Sequence, residues 1–218
     1  RTAIDSGINF FDTADVYSEG VSETILGQSL RNLKVPRQQV VIATKVGMEM
    51  GPGMKGLSKG YILREVEDSL KRLQTDHIDL YQSHEDDPGT PIEETLETYA
   101  ELIKAGKVRA IGASNYSGER LREALATGKR LGLPLYQSLQ PLYNLYDREG
   151  FETGLEPVCR ENGLGVITYY SLASGFLTGK YRSKADIGKS AARSGRVQRY
   201  LDAAAALRRR IELVLEGK

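Results

Sequence analysis

The chain has 218 residues, of which 40% are hydrophobic and 27% charged; that suffices for one sizeable core and excludes a disordered or fibrous protein. Thirty Lys and Arg stand against 29 Asp and Glu, a formal net charge of +1, so the basic excess that a nucleic-acid or membrane-surface partner selects is missing. One cysteine, Cys159, and two histidines exclude an internal disulfide and a zinc module, and no apolar stretch approaches the ~20 residues of a bilayer span.

The composition describes a soluble protein of a reducing compartment, with the cytoplasm as the expected location. No signal peptide is read, and because Arg1 is not an initiator Met the natural N-terminus is expected to lie further upstream.

From the N-terminus onward, short runs rich in β-branched residues alternate with amphipathic helical stretches. Residues 1–7 read as the tail of a helix. Strands are predicted at 8–11, 40–44, 77–81, 108–112, 135–139 and 164–169, beginning 27–37 residues apart, about one βαβ unit each. Ser22, Ser58 and Ser117 are the predicted N-caps of three intervening helices. Thr90, Pro91 and Glu93 spell a capping box with Pro at the first helical position, ahead of a helix over 92–105. Gly106, Gly132 and Gly163 stand where helix C-caps belong. A last helix is predicted to start within 190–201 and to continue with helical periodicity to 217. No linker or composition break precedes residue 182, so one domain over residues 1–218 is expected.

Apolar strands with helices between them imply an α/β protein with a covered parallel sheet. The polar residues that follow the apolar runs choose the architecture. They are Asp12, Lys45, His84, Ser114 with Asn115, Gln140, and Tyr169. Six successive strands each deliver a polar group at the carboxyl end, and in a (β/α)8 TIM barrel those ends converge on one face. A doubly wound sheet would concentrate function beside one switch point. The distribution favours the barrel.

Asp12, Tyr17, Lys45 and His84 make a coherent chemical set. A tyrosine with a reference pKa near ~10 is a poor acid at neutral pH unless its phenolate is stabilised. The ammonium of Lys45 would supply that stabilisation, and Asp12 would hold the ammonium by an ion pair. His84 could hydrogen-bond a carbonyl oxygen. Such a site relays a proton and needs a hydride from a cofactor, because no side chain carries one. Singly, each residue has a plainer reading: Asp12 as a turn residue, Tyr17 as one of 12 tyrosines that pack, His84 as a structural histidine. Their conjunction at consecutive strand ends carries the functional reading.

Three other patterns mislead. Gly51-Pro52-Gly53-Met54-Lys55-Gly56 matches G-x-G-x-x-G, but it starts after the strand has ended and Pro52 removes a donor, so it reads as a mobile βα loop. His77 and His84 are an odd number of residues apart and tend to opposite faces. The run Glu85-Asp86-Asp87 lacks a Gly-turn ligand loop and reads as a solvated loop. Tyr17 and Lys45, 28 residues apart, do not form the Tyr-x-x-x-Lys helix pair of Rossmann-type carbonyl reductases.

Several motifs together resemble those of the aldo-keto reductase family, in its potassium-channel-beta-like branch, from about Ile4 to Arg182. Gly7-Ile8-Asn9-Phe10-Phe11-Asp12-Thr13-Ala14 with Tyr17 is similar to the family's first signature. Ala43-Thr44-Lys45-Val46 resembles its lysine motif, and Asp79-Leu80-Tyr81-Gln82-Ser83-His84 its histidine strand. The segment from Gly106 to Asn115 and Gln140-Pro141-Leu142-Tyr143-Asn144-Leu145 resemble the parts that hold the nicotinamide carboxamide.

The resemblance implies a barrel that reduces an aldehyde or ketone with NADPH (NADP), with NADH as an alternative coenzyme and no metal. It implies a tetrad of Asp12, Tyr17, Lys45 and His84, with Tyr17 as general acid. Ser114, Asn115 and Gln140 would grip the carboxamide, Tyr169 would stack on the ring, and Leu172, Gly175 and Lys180 would lie along the pyrophosphate. The expected partner is a small-molecule carbonyl compound, with neither nucleic acid nor membrane, and self-association into a homo-oligomer is left open. Only about six of eight strand-helix units, the second to the seventh, are evident, so the natural protein is expected to be longer. The competing readings are a non-catalytic nicotinamide-nucleotide sensor or channel-associated subunit, and an inactive partial barrel.

Overall fold

Six strands form one parallel sheet in the computed structural model, which describes residues 1–189 and 194–215. They are β1 Phe10–Asp12, β2 Val41–Val46, β3 Ile78–Ser83, β4 Val108–Ser114, β5 Ser138–Gln140 and β6 Gly165–Val166. The helices are α1 Thr2–Asp5, α2 Val21–Asn32, α3 Lys59–Leu73, α4 Ile92–Lys104, α5 Gly118–Leu131, α6 Glu156–Asn162 and α7 Ser194–Leu215. Residues 190–193 and 216–217 of the last predicted helix lie outside the described residues. The chain divides into two compact units, Arg1–Pro141 with Gly154–Ile167, and Leu142–Thr153 with Thr168–Lys218.

In the first unit the strands lie in the order β1-β2-β3-β4-β5-β6, all parallel. Sequential order is decisive. A doubly wound sheet reverses at a switch point, whereas right-handed crossovers without reversal put every helix on one face, as in a barrel. Consistently, α2 packs on α3, α3 on α4, α4 on α5 and α5 on α6. The fold is α/β, six consecutive units of a (β/α)8 barrel, with β1 and β6 at the edges.

The helices form because their apolar residues recur at helical spacing. In α3, Tyr61, Ile62, Glu65, Val66, Ser69, Leu70 and Leu73 are buried, and in α4 Ile92, Thr95, Leu96, Tyr99 and Leu102, one stripe facing the sheet. Ser117 caps α5 as expected, accepting a bond from Arg120 N. Gly106, Gly132 and Gly163 all have positive φ at helix ends. Two caps differ from expectation. Gly20 rather than Ser22 precedes α2, and Ser22 Oγ is instead bonded to Thr13 Oγ1 at 2.8 Å. Thr90 makes no capping box, because its hydroxyl donates to Asp87 Oδ2 at 2.7 Å and Pro91 takes the cap position. Ser58 precedes α3 without a side-chain cap bond; a Glu94 carboxylate oxygen accepts from Lys59 N at 2.8 Å there.

Strand ends were the least legible. Lys45, Ser114 and Gln140, read as following their strands, lie inside them, because the ladder continues through Lys45↔Gln82 and Ser114↔Gln140. Leu135–Gln137 lie before β5, and β6 keeps only two of its expected residues.

The second unit is built around α7. Tyr181, Val197 and Leu201 form its core, with Phe176 and Ile187 packed against them. The Tyr200 ring stacks on Phe176 at 5.5 Å and meets Tyr146 edge-on at 5.1 Å. Asn144 ties the turn that follows it, accepting from Tyr146 N and Asp147 N and donating to Tyr170 O.

Candidate active site

Side chains alternate across β2 and β3, and that alternation sorts structure from chemistry. Thr44 points to the helices and donates to Glu23 on α2, so Lys45 points to the opposite face. Ser83 likewise bonds the hydroxyls of Tyr99 on α4 and Tyr136, so Gln82 and His84 share the face of Lys45.

Lys45 is fully buried. Its Nζ donates to Asp12 Oδ2 and to Thr13 O, both at 2.7 Å, and lies 3.4 Å from the Tyr17 hydroxyl. Burial lowers its pKa from the ordinary lysine value, and the charge of Asp12 opposes that fall, helped by Asp15 and Glu23. Tyr17 precedes two positive-φ residues, Ser18 and Glu19, and is 41% exposed, so a solute can reach its hydroxyl. The His84 ring meets the Tyr17 ring edge-on at 5.7 Å. Burial, then the charge of Lys45, pushes the His84 pKa down to about 4, so its imidazole is neutral at pH 7. The four expected residues Asp12, Tyr17, Lys45 and His84 therefore meet in one place.

Ser114, Asn115 and Gln140 also come together. Ser114 Oγ donates to Gln140 O at 2.9 Å, and Asn115 Nδ2 donates to Ser114 Oγ at 3.1 Å and to His84 O at 2.9 Å. Asn115 adopts a left-handed backbone, φ 55°, which turns its amide back over the strand end.

In the second unit, Tyr169 is half-buried beside Tyr170, with which it makes an edge-on ring contact at 5.2 Å. Leu172 and Gly175 line a cavity of about 310 Å³ with Tyr170, Ser174, Thr178 and Arg196. Gly175 has φ +97°, and a Cβ there would stand 3.1 Å from Lys180 Cε, so only glycine leaves this backbone open. Lys180 is not among the lining residues; its ammonium lies over the Tyr181 ring at 5.1 Å. The cation in the cavity wall is Arg196, over the Tyr170 ring at 5.0 Å. The sequence reading missed it, although basic residues toward the C-terminus were the signal to follow.

Two further groups were missed. Gln82 donates to Asp12 Oδ1 at 3.1 Å; its place two residues before His84, on the same face, was the available signal. Asp15 is fully buried, accepts from Val16 N at 2.6 Å, and has its other oxygen without a partner among the described residues. Burial pushes its carboxyl up to about 8, so it is largely protonated at pH 7.

The misleading patterns resolve in the same way. Residues 50–54 close a tight turn, with Met50 N and Met54 O bonded at 2.9 Å, and the G-x-G-x-x-G glycines open no helix. Asp87, read as solvated, holds the loops together by accepting from Leu57 N, Gly89 N and Thr90 Oγ1, and Asp86 pairs with Arg120 at 2.8 Å. Among the described residues no group of three or more His, Cys, Asp or Glu could hold a metal ion, and no helix is long and apolar enough to cross a membrane.

The chain is similar to known proteins over most of its length. The chain is 44% identical over 182 residues to the aldo-keto reductase YhdN of Bacillus subtilis, covering 83% of this chain and 53% of that one. It is 41% identical over 184 residues to a probable voltage-gated potassium channel subunit beta of Arabidopsis thaliana, covering 83% and 56%. With L-glyceraldehyde 3-phosphate reductase of Escherichia coli K12 it shares 38% over 186 residues, covering 83% and 54%. The chain thus spans about half the length of these relatives. The model of the aldo/keto reductase family matches residues 1–213, and with the strand order and the site residues in place the chain belongs to that family.

Proposed function

We propose that the protein reduces small aldehydes or ketones to alcohols with NADPH, Tyr17 acting as general acid. The observation that carries this reading is the Lys45 ammonium, held by Asp12 at 2.7 Å and standing 3.4 Å from the Tyr17 hydroxyl.

Each unit, taken by itself, carries residues whose chemistry suits part of a dinucleotide. Ser114 and Gln140 offer a buried hydroxyl and a buried amide for a carboxamide, and exposed Asn115 a second amide, Tyr169 a ring face, and Leu172, Gly175 and Lys180 the run along a pyrophosphate. The cavity that Arg196 lines has the cation and hydroxyls that a phosphate takes. When bound, the nicotinamide supplies a hydride to the carbonyl carbon.

The chain's own residues do the rest. The Tyr17 hydroxyl gives its proton to the carbonyl oxygen as the C–H bond forms, and Lys45 stabilises the phenolate left behind. Asp12 keeps the ammonium in place. Neutral His84 donates a hydrogen bond to the carbonyl oxygen and orients it. The reverse oxidation uses the same groups, and NADH is a second coenzyme the site could take.

We read residues 1–218 as one partial barrel domain, working in the cytoplasm on a small carbonyl compound, with homo-oligomerisation left to measurement. The names of the channel-subunit relatives raise a second reading, a nicotinamide-binding regulatory subunit without turnover. The intact His84 beside Tyr17 favours the reductase. The test is nicotinamide absorbance with a panel of aldehydes: carbonyl-dependent loss of NADPH supports the proposal. Tight NADPH binding without turnover on any of them would favour the regulatory subunit, and neither binding nor turnover would favour an inactive partial barrel.

A further inference from the structure

We propose that Gln82 is a positioning residue that pins the Asp12 carboxylate against Lys45. Gln82 and Lys45 are direct partners across β2 and β3, and both side chains are fully buried. Asp12 is gripped at both oxygens: Lys45 Nζ donates to Oδ2 at 2.7 Å and Gln82 Nε2 to Oδ1 at 3.1 Å. A carboxylate only accepts, so the amide must turn its NH2 to it.

The grip is needed because the two sides of the ion pair are unequally exposed. The Lys45 side chain is 0% exposed and that of Asp12 27%, so water competes for the carboxylate and not for the ammonium. If Asp12 turned outward, Lys45 would keep only the Thr13 carbonyl and the more distant Tyr17 hydroxyl, a buried charge with neutral partners, which is costly.

Packing does not explain why this residue is polar. Gln82 Oε1 is buried without a partner among the described residues, and so is Ser138 Oγ. Both crowd Gly112, where a Cβ would stand 2.5 Å from Ser138 Oγ and 3.3 Å from Gln82 Oε1. An unpaired buried acceptor carries a desolvation penalty that Met or Leu would avoid at similar volume. Among the described residues, the bond to Asp12 is the one contact for which the amide is required.

The consequence for turnover rests on the reductase reading, because it acts through Lys45 on Tyr17; the clamp itself is tested without it. In the full chain, Gln82→Met and Gln82→Leu are compared with wild type by NMR titration of ¹³C-labelled lysine, with Lys45→Arg assigning the Lys45 signal. Asp12, Asp15 and Glu23 are the acids that hold the Lys45 charge up. Loosening Asp12 should lower the Lys45 midpoint by about one unit in both variants. It should also cut kcat about tenfold while KM and NADPH affinity stay unchanged.

Both variants should remain folded, because Met and Leu also remove the unpaired Oε1 and so offset part of the cost of loosening Asp12. An unmoved or raised Lys45 midpoint, or loss of folding in both, overturns the clamp. A lowered midpoint in a protein that never turns over keeps the clamp and removes the reductase reading. Turnover in wild type with an unmoved midpoint does the reverse.

Discussion

Lys45 Nζ stands 3.4 Å from the Tyr17 hydroxyl oxygen and 4.9 Å from the centre of the Tyr17 ring. The ammonium sits toward the oxygen end of the ring, where it favours a phenolate more than it favours the ring face. The pair joins a buried cation to a solvent-reachable acid, and each prediction below probes a part of that arrangement or its support.

Replacing Tyr17 by Phe removes the acid and leaves the ring. Turnover should fall about 10²–10⁴-fold, the usual worth of general acid catalysis, with NADPH affinity retained. Steady-state kinetics beside a fluorescence titration checks both. Near-normal turnover would make Tyr17 a packing residue.

His84 predicts a pH dependence of stability. Its pKa is lowered from 6.5 to about 4 by burial and then by Lys45, so the unfolded chain binds the proton first as pH falls. The stabilisation is complete above pH 6.5 and is lost as pH falls toward 4. It amounts to about 3 kcal/mol by linkage. Urea unfolding of His84→Gln should show a flatter profile across that window; an equal slope in both proteins would contradict the assignment.

Asp15 works with the opposite sign. Its pKa is raised from 3.8 to about 8, first by burial, so its stabilising share is present at low pH and is lost as pH rises from 3.8 to 8. Asp15→Asn should therefore stabilise the protein at pH 7, by roughly 1–3 kcal/mol, with the gain gone near pH 4. A variant less stable than wild type at pH 7 would show that Asp15 is charged there and paired.

Arg196 and Tyr169 test the coenzyme reading in the second unit. Arg196→Met should weaken NADPH about tenfold and NADH less, at unchanged kcat, if the guanidinium meets a phosphate. Tyr169→Ala should cost about 1 kcal/mol of affinity for either coenzyme, as loss of an aromatic stack does. Equal effects of Arg196→Met on both coenzymes would remove the extra phosphate from that cavity.

The strand-helix rhythm was legible because parallel strands are continuous apolar runs with capped helices between them. The polar groups were legible because each interrupts such a run. The true strand ends were not. Lys45 and Gln140 continue the ladder while facing a polar interior, and a hydropathy pattern reads that as a strand that has stopped. Caps failed where another side chain took the capping hydroxyl, as when Thr90 donates to Asp87 three residues before it. Gln82 and Asp15 stayed hidden because their meaning lies in contacts across strands and in burial, neither of which one sequence displays.

The most direct test of the central claim is a titration of NADPH into the protein, followed by nicotinamide fluorescence. A carbonyl reductase site built on Tyr17, Lys45 and the Ser114–Gln140 pair predicts a saturable change at one equivalent, reversed when an aldehyde is added and the coenzyme is oxidised. A response that grows linearly with NADPH, without saturation and indifferent to aldehyde, would contradict it.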